Sequence, residues 1–166
     1  MTLIATVGAS NANSYISVAD ADAYFTNRYS SGSWASSTTA IKEQVLITAT
    51  QRLEQEEYIS TVVDTTQALK WPRTSILKPS GVAYYENTVI PAEVMNATAE
   101  LGHALITQLT TIDEELDPRK YASLTVGPIS VVHRSAMSGF RMPDIVRRYL
   151  APYLITPSAF NVQVYR

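Results

Sequence analysis

The 166-residue chain contains no cysteine, which excludes a disulfide framework, a thiolate metal site and a cysteine nucleophile. Its six glycines are scattered singly, so it has no GxGxxG, P-loop or GxSxG segment and no nucleotide-handling loop is expected. The two histidines, His103 and His133, stand without HExxH spacing; each reads as a surface or satisfied interior histidine rather than a ligand or base. Serines are abundant, yet none has a recognisable base and orienting acid beside it. These absences predict a protein that is not an enzyme and takes no cofactor or metal. Nor does any apolar run approach the roughly 20 residues that cross a bilayer. The start, "MTLIATVGASNANSY", has neither a basic leader nor a long apolar stretch, so no membrane partner and cytoplasmic synthesis are expected.

What the chain does have is enough apolar material for a core. Hydrophobic residues make up 46% and charged residues 17%, the balance of one folded domain rather than of a disordered chain. The net charge of −2 hides a division. Residues 1–117 hold 6 Lys+Arg against 14 Asp+Glu, while residues 118–166 hold 7 against 1. Such asymmetry suits an oriented contact with another copy, another protein or nucleic acid; the alternative is a solvated surface whose charges happen to segregate.

Helix signals recur along the chain. Ser17 stands three residues before Asp20, a capping-box arrangement, and Asp20 and Asp22 suit the positive end of a helix dipole, so a helix is expected from about Val18 to Tyr29. A metal or acid-base pair of these two carboxylates is the weaker reading. "SSGSWASS" reads as a loop, with Trp34 as a plug over the core. Ile41, Val45, Ala49 and Leu53 recur every four residues and predict a helix over about Thr39 to Glu57 with these four on one face. Pro91 and Glu93 open another, with Ile90, Val94, Leu101, Leu105 and Ile112 as its apolar stripe and Ala97, Ala99, Gly102 and Ala104 allowing close packing. The acidic "DEELDPRK" after it reads as a solvated turn, lacking calcium-loop spacing.

"SLTVGPISVVH" is the candidate for extended structure, a bent strand or a hairpin over about 121–134. "PDIVRRYLAPYL" predicts a last helix, with Ile145, Val146, Tyr149 and Leu150 inward, Arg147 and Arg148 outward, and Pro152 kinking or ending it. The tail "ITPSAFNVQVYR" reads as an arm able to add to a partner. The expected fold is mainly α: a small bundle of about four helices over residues 1–154, with a long ordered loop, one extended hairpin segment, and a C-terminal arm over 155–166.

Between the second and third long helical segments, residues 60–90 are broken by Pro72, Pro79 and Gly81 and read as that long ordered loop, with a short helical turn over "TTQALKW". Tyr84 and Tyr85 either stack on a ligand or anchor the loop, anchoring being the simpler role. The run "LKWPRT" inside it admits two readings. Trp71 and Arg73 could stack on a base and bind its phosphate. Alternatively Trp71 plugs the core, Pro72 stops the segment and Arg73 pairs locally or with a neighbouring subunit. The acidic surroundings and the lack of a second basic-aromatic cluster favour the structural corner.

Taken in order, "SYISVADADAYFTNR", "EQVLITATQRLE", "ALKWPRT", "IPAEVMNATAELGHALI", "VGPISVV" and "YLAPYL" resemble the tailed-bacteriophage head-to-tail connector, or adaptor, proteins, which also go by the name of DnaT-like single-stranded-DNA-binding proteins. The resemblance covers nearly the whole chain and rests on serial order, with no catalytic signature to carry over; a similar Trp-Pro-Arg corner recurs there. It implies a structural protein of the virion neck, made in the host bacterial cytoplasm and assembled as a ring, a dodecamer, beneath the portal protein. Such a ring extends the DNA channel, passes DNA without sequence specificity and docks the next neck or tail protein. By that resemblance, the segment around Val126, Ile129 and Val131 touches neighbouring copies and the arm with Phe160 and Tyr165 reaches the portal. The basic face of Arg141, Arg147 and Arg148 is the candidate interface with portal or neighbour, and Trp34, Trp71 and Pro72 are the candidate anchors. The other expectation under the same resemblance is a single-stranded-DNA-binding module.

Overall fold

In a computed structural model of the chain, residues 2–109, 123–126, 129–132 and 142–155 are described. The elements run α1 (Val18–Thr26), α2 (Gly32–Ala35), α3 (Thr39–Leu53), α4 (Ala92–Leu109), β1 (Ser123–Val126), β2 (Ile129–Val132) and α5 (Asp144–Leu150). This is a mainly helical protein, a small bundle in which α4 packs against both α3 and α5.

Local chemistry sets the helix ends. Ser17 accepts from the Asp20 amide at 3.1 Å, and its hydroxyl donates to the Asp20 carboxylate at 2.6 Å. One free amide of the first turn is thereby satisfied, as a capping box does. Asp22, expected at the dipole, instead accepts from the Trp34 indole at 2.7 Å and from Lys42 at 2.8 Å. Partial burial works against ionisation there, but those two donors and the Lys42 charge hold its carboxyl below the ordinary range. α1 also stops at Thr26 with Asn27 as its cap, short of Tyr29. "GSWA" is a helical turn rather than loop, and it drives Trp34 into the core, where the ring lies 4.7 Å from that of Phe25.

Thr38 caps α3 by accepting from the Ile41 amide. The four-residue repeat buries Val45, Ala49 and Leu53, whereas Ile41, one turn inside the helix start, is exposed. A repeat predicts a face, but the first turn extends past the partner that would cover it. α3 ends at Leu53, not at Glu57, and hydrogen-bonded turns carry the chain through Glu56. Ile90, just before α4, and Val94, Leu101 and Leu105 within it are buried as the stripe requires; Ile112 lies outside the described residues.

Small residues let α3 and α4 approach closely. A methyl group built on Gly102 would stand 3.3 Å from Leu46 Cδ2 and 3.5 Å from Val45 Cγ2. Gly102→Ala should therefore be close to neutral, since better helix propensity, about 1 kcal/mol, offsets a small displacement of Leu46. Gly102→Val should destabilise by about 1–3 kcal/mol through overpacking. Urea melts that ranked the two variants equally would contradict this contact.

The extended segment is a hairpin rather than a bent strand, with β1 and β2 antiparallel and Val126 paired with Ile129 and Leu124 with Val131. In α5, Val146 and Leu150 are buried and Tyr149 is half-buried, as expected, while Ile145 is 39% exposed. One turn of the predicted inward face thus points outward. The helix ends at Leu150, before Pro152. The chain then pairs with the exit of α3: Tyr58 and Leu154 form an antiparallel bridge, and the Ile155 amide donates to the Glu57 carbonyl at 2.9 Å. No helix among the described residues is long and apolar enough to cross a membrane.

Candidate functional site

The corner at Trp71 carried two readings from the sequence, with the structural one favoured, and its geometry decides between them. Trp71 is buried, with its ring edge-on to Tyr58 and to Tyr153, each 5.5 Å away between centroids. It bears on the exit of α3 and on the turn after α5 together. Pro72, joined to Trp71 through a cis peptide bond, is buried beside it. "TTQALKW" is no helical turn. Asp64 caps a tight turn by accepting from the Thr66 amide at 2.8 Å, and Gln67 donates to the Leu69 carbonyl at 2.6 Å. Asp and Gln side chains here bond the backbone that a helix would have used.

Arg73 is also buried, and its guanidinium is occupied by main chain. Nε donates to the Ile59 carbonyl at 2.8 Å, Nη1 to Lys70 at 3.1 Å, and Nη2 to Tyr58 at 3.2 Å and to Ser60. Burial lowers its pKa, opposed by the nearby Tyr58 and Glu54. Glu54 in turn accepts from the Lys70 amide at 2.9 Å, and burial raises its carboxyl against the pull of Lys70 and Arg73. A guanidinium spent on four carbonyls cannot clamp a phosphate, and a buried indole offers no face to a base. Trp71, Pro72 and Arg73 form a structural bracket, and Arg73 pairs locally.

Where the other candidates fall is uneven. Arg147 and Arg148 are exposed on α5 and make no ion pair among the described residues. Val126, Ile129 and Val131 lie in the hairpin. Arg141, Phe160 and Tyr165 lie outside the described residues, as do "DEELDPRK" and His133. Tyr84 and Tyr85 divide: Tyr85 donates to Glu93 at 3.2 Å and anchors, while Tyr84 faces solvent. Among the described residues no group of three His, Asp or Glu is placed to hold a metal ion.

A polar network on α4 was not read from the sequence. Glu100, with a side chain only 2% exposed, forms a two-pronged ion pair with Arg28, Nη2 lying 2.8 Å from Oε2 and Nε bonding Oε1. The Tyr24 hydroxyl donates to Glu100 at 2.7 Å and lies 3.2 Å from that of Tyr149. Two turns earlier, Glu93 accepts from Tyr153 at 3.0 Å as well as from Tyr85. Burial first, then hydrogen bonds with Tyr149 and Glu100, push the Tyr24 phenol far above its ordinary value; burial and then Glu93 do the same to Tyr153. Both phenols therefore stay protonated and keep α5 and the turn after it fastened to α4. A buried Glu is signalled in sequence only by its place on a helix face, and Glu100 sits next to the apolar stripe, where a solvated residue is the default reading.

His103 borders this network. Its ring is 5.4 Å from Phe25, and its Nε2 is enclosed with no hydrogen-bond partner among the described residues. Burial first and then the Arg28 charge, against the opposing pull of Glu100, hold the imidazole below its ordinary 6.5. A depressed folded pKa gives stability that is complete above the unfolded value and lost as pH falls through the folded one. Acidification from about pH 6.5 to 5 should thus destabilise the protein more than its His103→Gln variant; parallel urea midpoints across that window would contradict the assignment.

The whole chain, residues 1–166, matches the model of the family described as "Putative DnaT-like ssDNA binding protein". The chain belongs to this family. The DnaT-like family match spans both the helical body and the residues outside it. Neither the curated proteins nor the solved structures gave a match.

Proposed function

We propose that this DnaT-like family member is a structural, non-enzymatic subunit of a tailed-phage virion. In this reading it assembles with copies of itself as a ring, a dodecamer, beneath the portal protein in the neck. The ring extends the DNA channel and receives the next neck or tail protein. The observation that supports the reading is the uneven distribution of charge along the chain. Arg147 and Arg148 stand exposed on α5, while residues 2–109 hold 6 Lys+Arg against 10 Asp+Glu. Of those six, Arg28, Lys42 and Arg73 are engaged by Glu100, Asp22 and main-chain carbonyls. Two exposed arginines at the end of α5 and a net-acidic body on one chain favour head-to-tail contacts, which close into a ring where the rotation between copies closes. The serial resemblance to connector proteins supports the same reading, and a channel through which DNA slides is served by weak, sequence-independent contact.

The second reading, single-stranded-DNA binding, is favoured by the family's own description. It would use Arg147, Arg148 and exposed rings such as Tyr29 and Tyr84, because the Trp71 corner is closed to it. Anisotropy of a labelled oligonucleotide separates the two. The connector reading expects binding no tighter than roughly 10⁻⁶ M at physiological salt. Affinity about tenfold or more beyond that, steep in salt and lost in Tyr84→Ala, would give the function to DNA binding.

Charge reversal probes the interface itself. Arg147→Glu with Arg148→Glu should abolish assembly and portal attachment while the circular dichroism melt stays within about 1 kcal/mol of the parent, since both side chains are exposed. Unchanged attachment would rule out this face.

A further inference from the structure

His103 stands at a junction that the bundle closes without satisfying. Its ring packs 5.4 Å from that of Phe25 on α1, and the Arg28 guanidinium lies 5.8 Å from the same Phe25 ring. Phe25 in turn packs 4.7 Å from Trp34 of α2, so the imidazole on α4 borders the α1–α2 unit. The His103 Nε2 atom is enclosed and has no hydrogen-bond partner among the described residues. An enclosed ring nitrogen without a partner carries its desolvation cost in full, and a proton added there turns it into the larger cost of an unpaired charge.

The charged groups that act on the ring come from two sides. Arg28 follows α1, and Glu100 lies one turn earlier on α4; burial first and then Arg28 oppose protonation, while Glu100 favours it. Tyr24 of α1 bonds Glu100 and reaches Tyr149 of α5. α2 presents the uncharged Trp34, and the α3 cation beside that indole, Lys42, is held by Asp22. Glu100 grips Arg28 through both carboxylate oxygens. An imidazolium at position 103 must therefore sit unpaired beside the guanidinium or draw Glu100 away from it.

We infer that His103 is an acid-sensitive latch: its protonation parts Arg28 from Glu100 and lifts the α1–α2 unit, residues 17–37, off α4, while α3 and α4 stay packed on each other. Two like charges at 28 and 103 repel strongly in enclosed surroundings, and both compete for one carboxylate. The Asp22–Lys42 pair adds little to the hold, because the Asp22 side chain is 47% exposed. Burial of Phe25 and Trp34 keeps the unit closed while His103 is neutral. The α3–α4 contact at Gly102 is made with Leu46 and Val45, which carry no charge and do not respond. Opening also takes Tyr24 away from Tyr149, one of the fasteners of α5. The device acts within one copy and does not depend on assembly.

His133→Gln protein contains a single histidine, so its imidazole proton resonances report His103 alone. Their titration midpoint is measured by NMR, and amide hydrogen exchange in the same protein is followed by mass spectrometry between about pH 7.5 and 5, corrected for intrinsic rates. The expected result is a midpoint below 6.5. In residues 18–35, but not in 45–53, protection should fall roughly tenfold for each unit by which the midpoint lies below that value. His103→Gln protein should show flat protection across the range. Arg28→Gln with His133→Gln should exchange faster in 18–35 at about pH 7.5 and lose the acid dependence, because the imidazolium then has Glu100 to itself. A midpoint at or above 6.5, or protection that falls alike in 18–35 and 45–53, overturns the latch, and neither readout needs a variant at 28 or 103. Acid dependence retained in either variant overturns it as well.

Discussion

Replacing Trp71 with alanine should lower folding stability by about 3–5 kcal/mol, a fall of roughly 10 °C in melting temperature for a chain of this length. The indole fills the junction where Tyr58 at the exit of α3 and Tyr153 after α5 meet, so its removal leaves a cavity bordered by segments distant in sequence. Such a cavity cannot close by a local shift. Thermal melts of the parent and variant check the magnitude. The variant's residual affinity for an oligonucleotide, measured below its melting range, should equal the parent's. A folded Trp71→Ala protein of parental stability that had lost only DNA affinity would return the corner to the role of a stacking platform.

A second large effect is expected at the ion pair on α4. Arg28→Met leaves the Glu100 carboxylate almost wholly enclosed, with the Tyr24 hydroxyl as its remaining donor among the described residues. Breaking such a pair from one side costs about 3–5 kcal/mol, whereas removing both charges together is commonly close to neutral. The expected pattern is therefore a large loss in Arg28→Met and recovery of most of it in Arg28→Met with Glu100→Met, read as urea midpoints with an unchanged slope. Equal losses in the single and double variants would mean that the cost lies in Arg28's own contacts rather than in a stranded Glu100 charge.

These two sites differ in how far the sequence reveals them. The α1 cap, the apolar stripe of α4 and the repeat in α3 were legible because each depends on spacing within one segment: Ser17 reaches Asp20 three residues on, and Val94, Leu101 and Leu105 share a face by helical geometry alone. Their outer limits were less legible. Ile41 and Ile145 continue an apolar pattern beyond the surface that could cover them, and coverage is a property of the partner element rather than of the repeat. Trp71 as an anchor could be argued from its acidic, loop-rich context, but three of the four carbonyls that occupy Arg73 come from residues 58–60, more than a dozen positions away. Glu100 was invisible for the same reason, since Arg28 and Tyr24 reach it across more than seventy residues. The fold-back of residues 76–85, in which the Tyr85 amide donates to the Ile76 carbonyl, was hidden by Pro79 and Gly81, which read as interruptions while serving as its turn.

The functional reading turns on the same distinction. A Trp, a Pro and an Arg in a row admit a nucleic-acid reading, which their buried and internally bonded side chains close; Arg147 and Arg148 stand exposed on α5 beside Asp144, while residues 2–109 hold 6 Lys+Arg against 10 Asp+Glu. Light scattering of the purified protein mixed with portal protein tests that account most directly. The account predicts particles whose mass exceeds that of the portal by a fixed ring of copies, and none with the Arg147→Glu, Arg148→Glu protein. Unbound portal beside a monomer that instead binds oligonucleotide tightly and with steep salt dependence would contradict it.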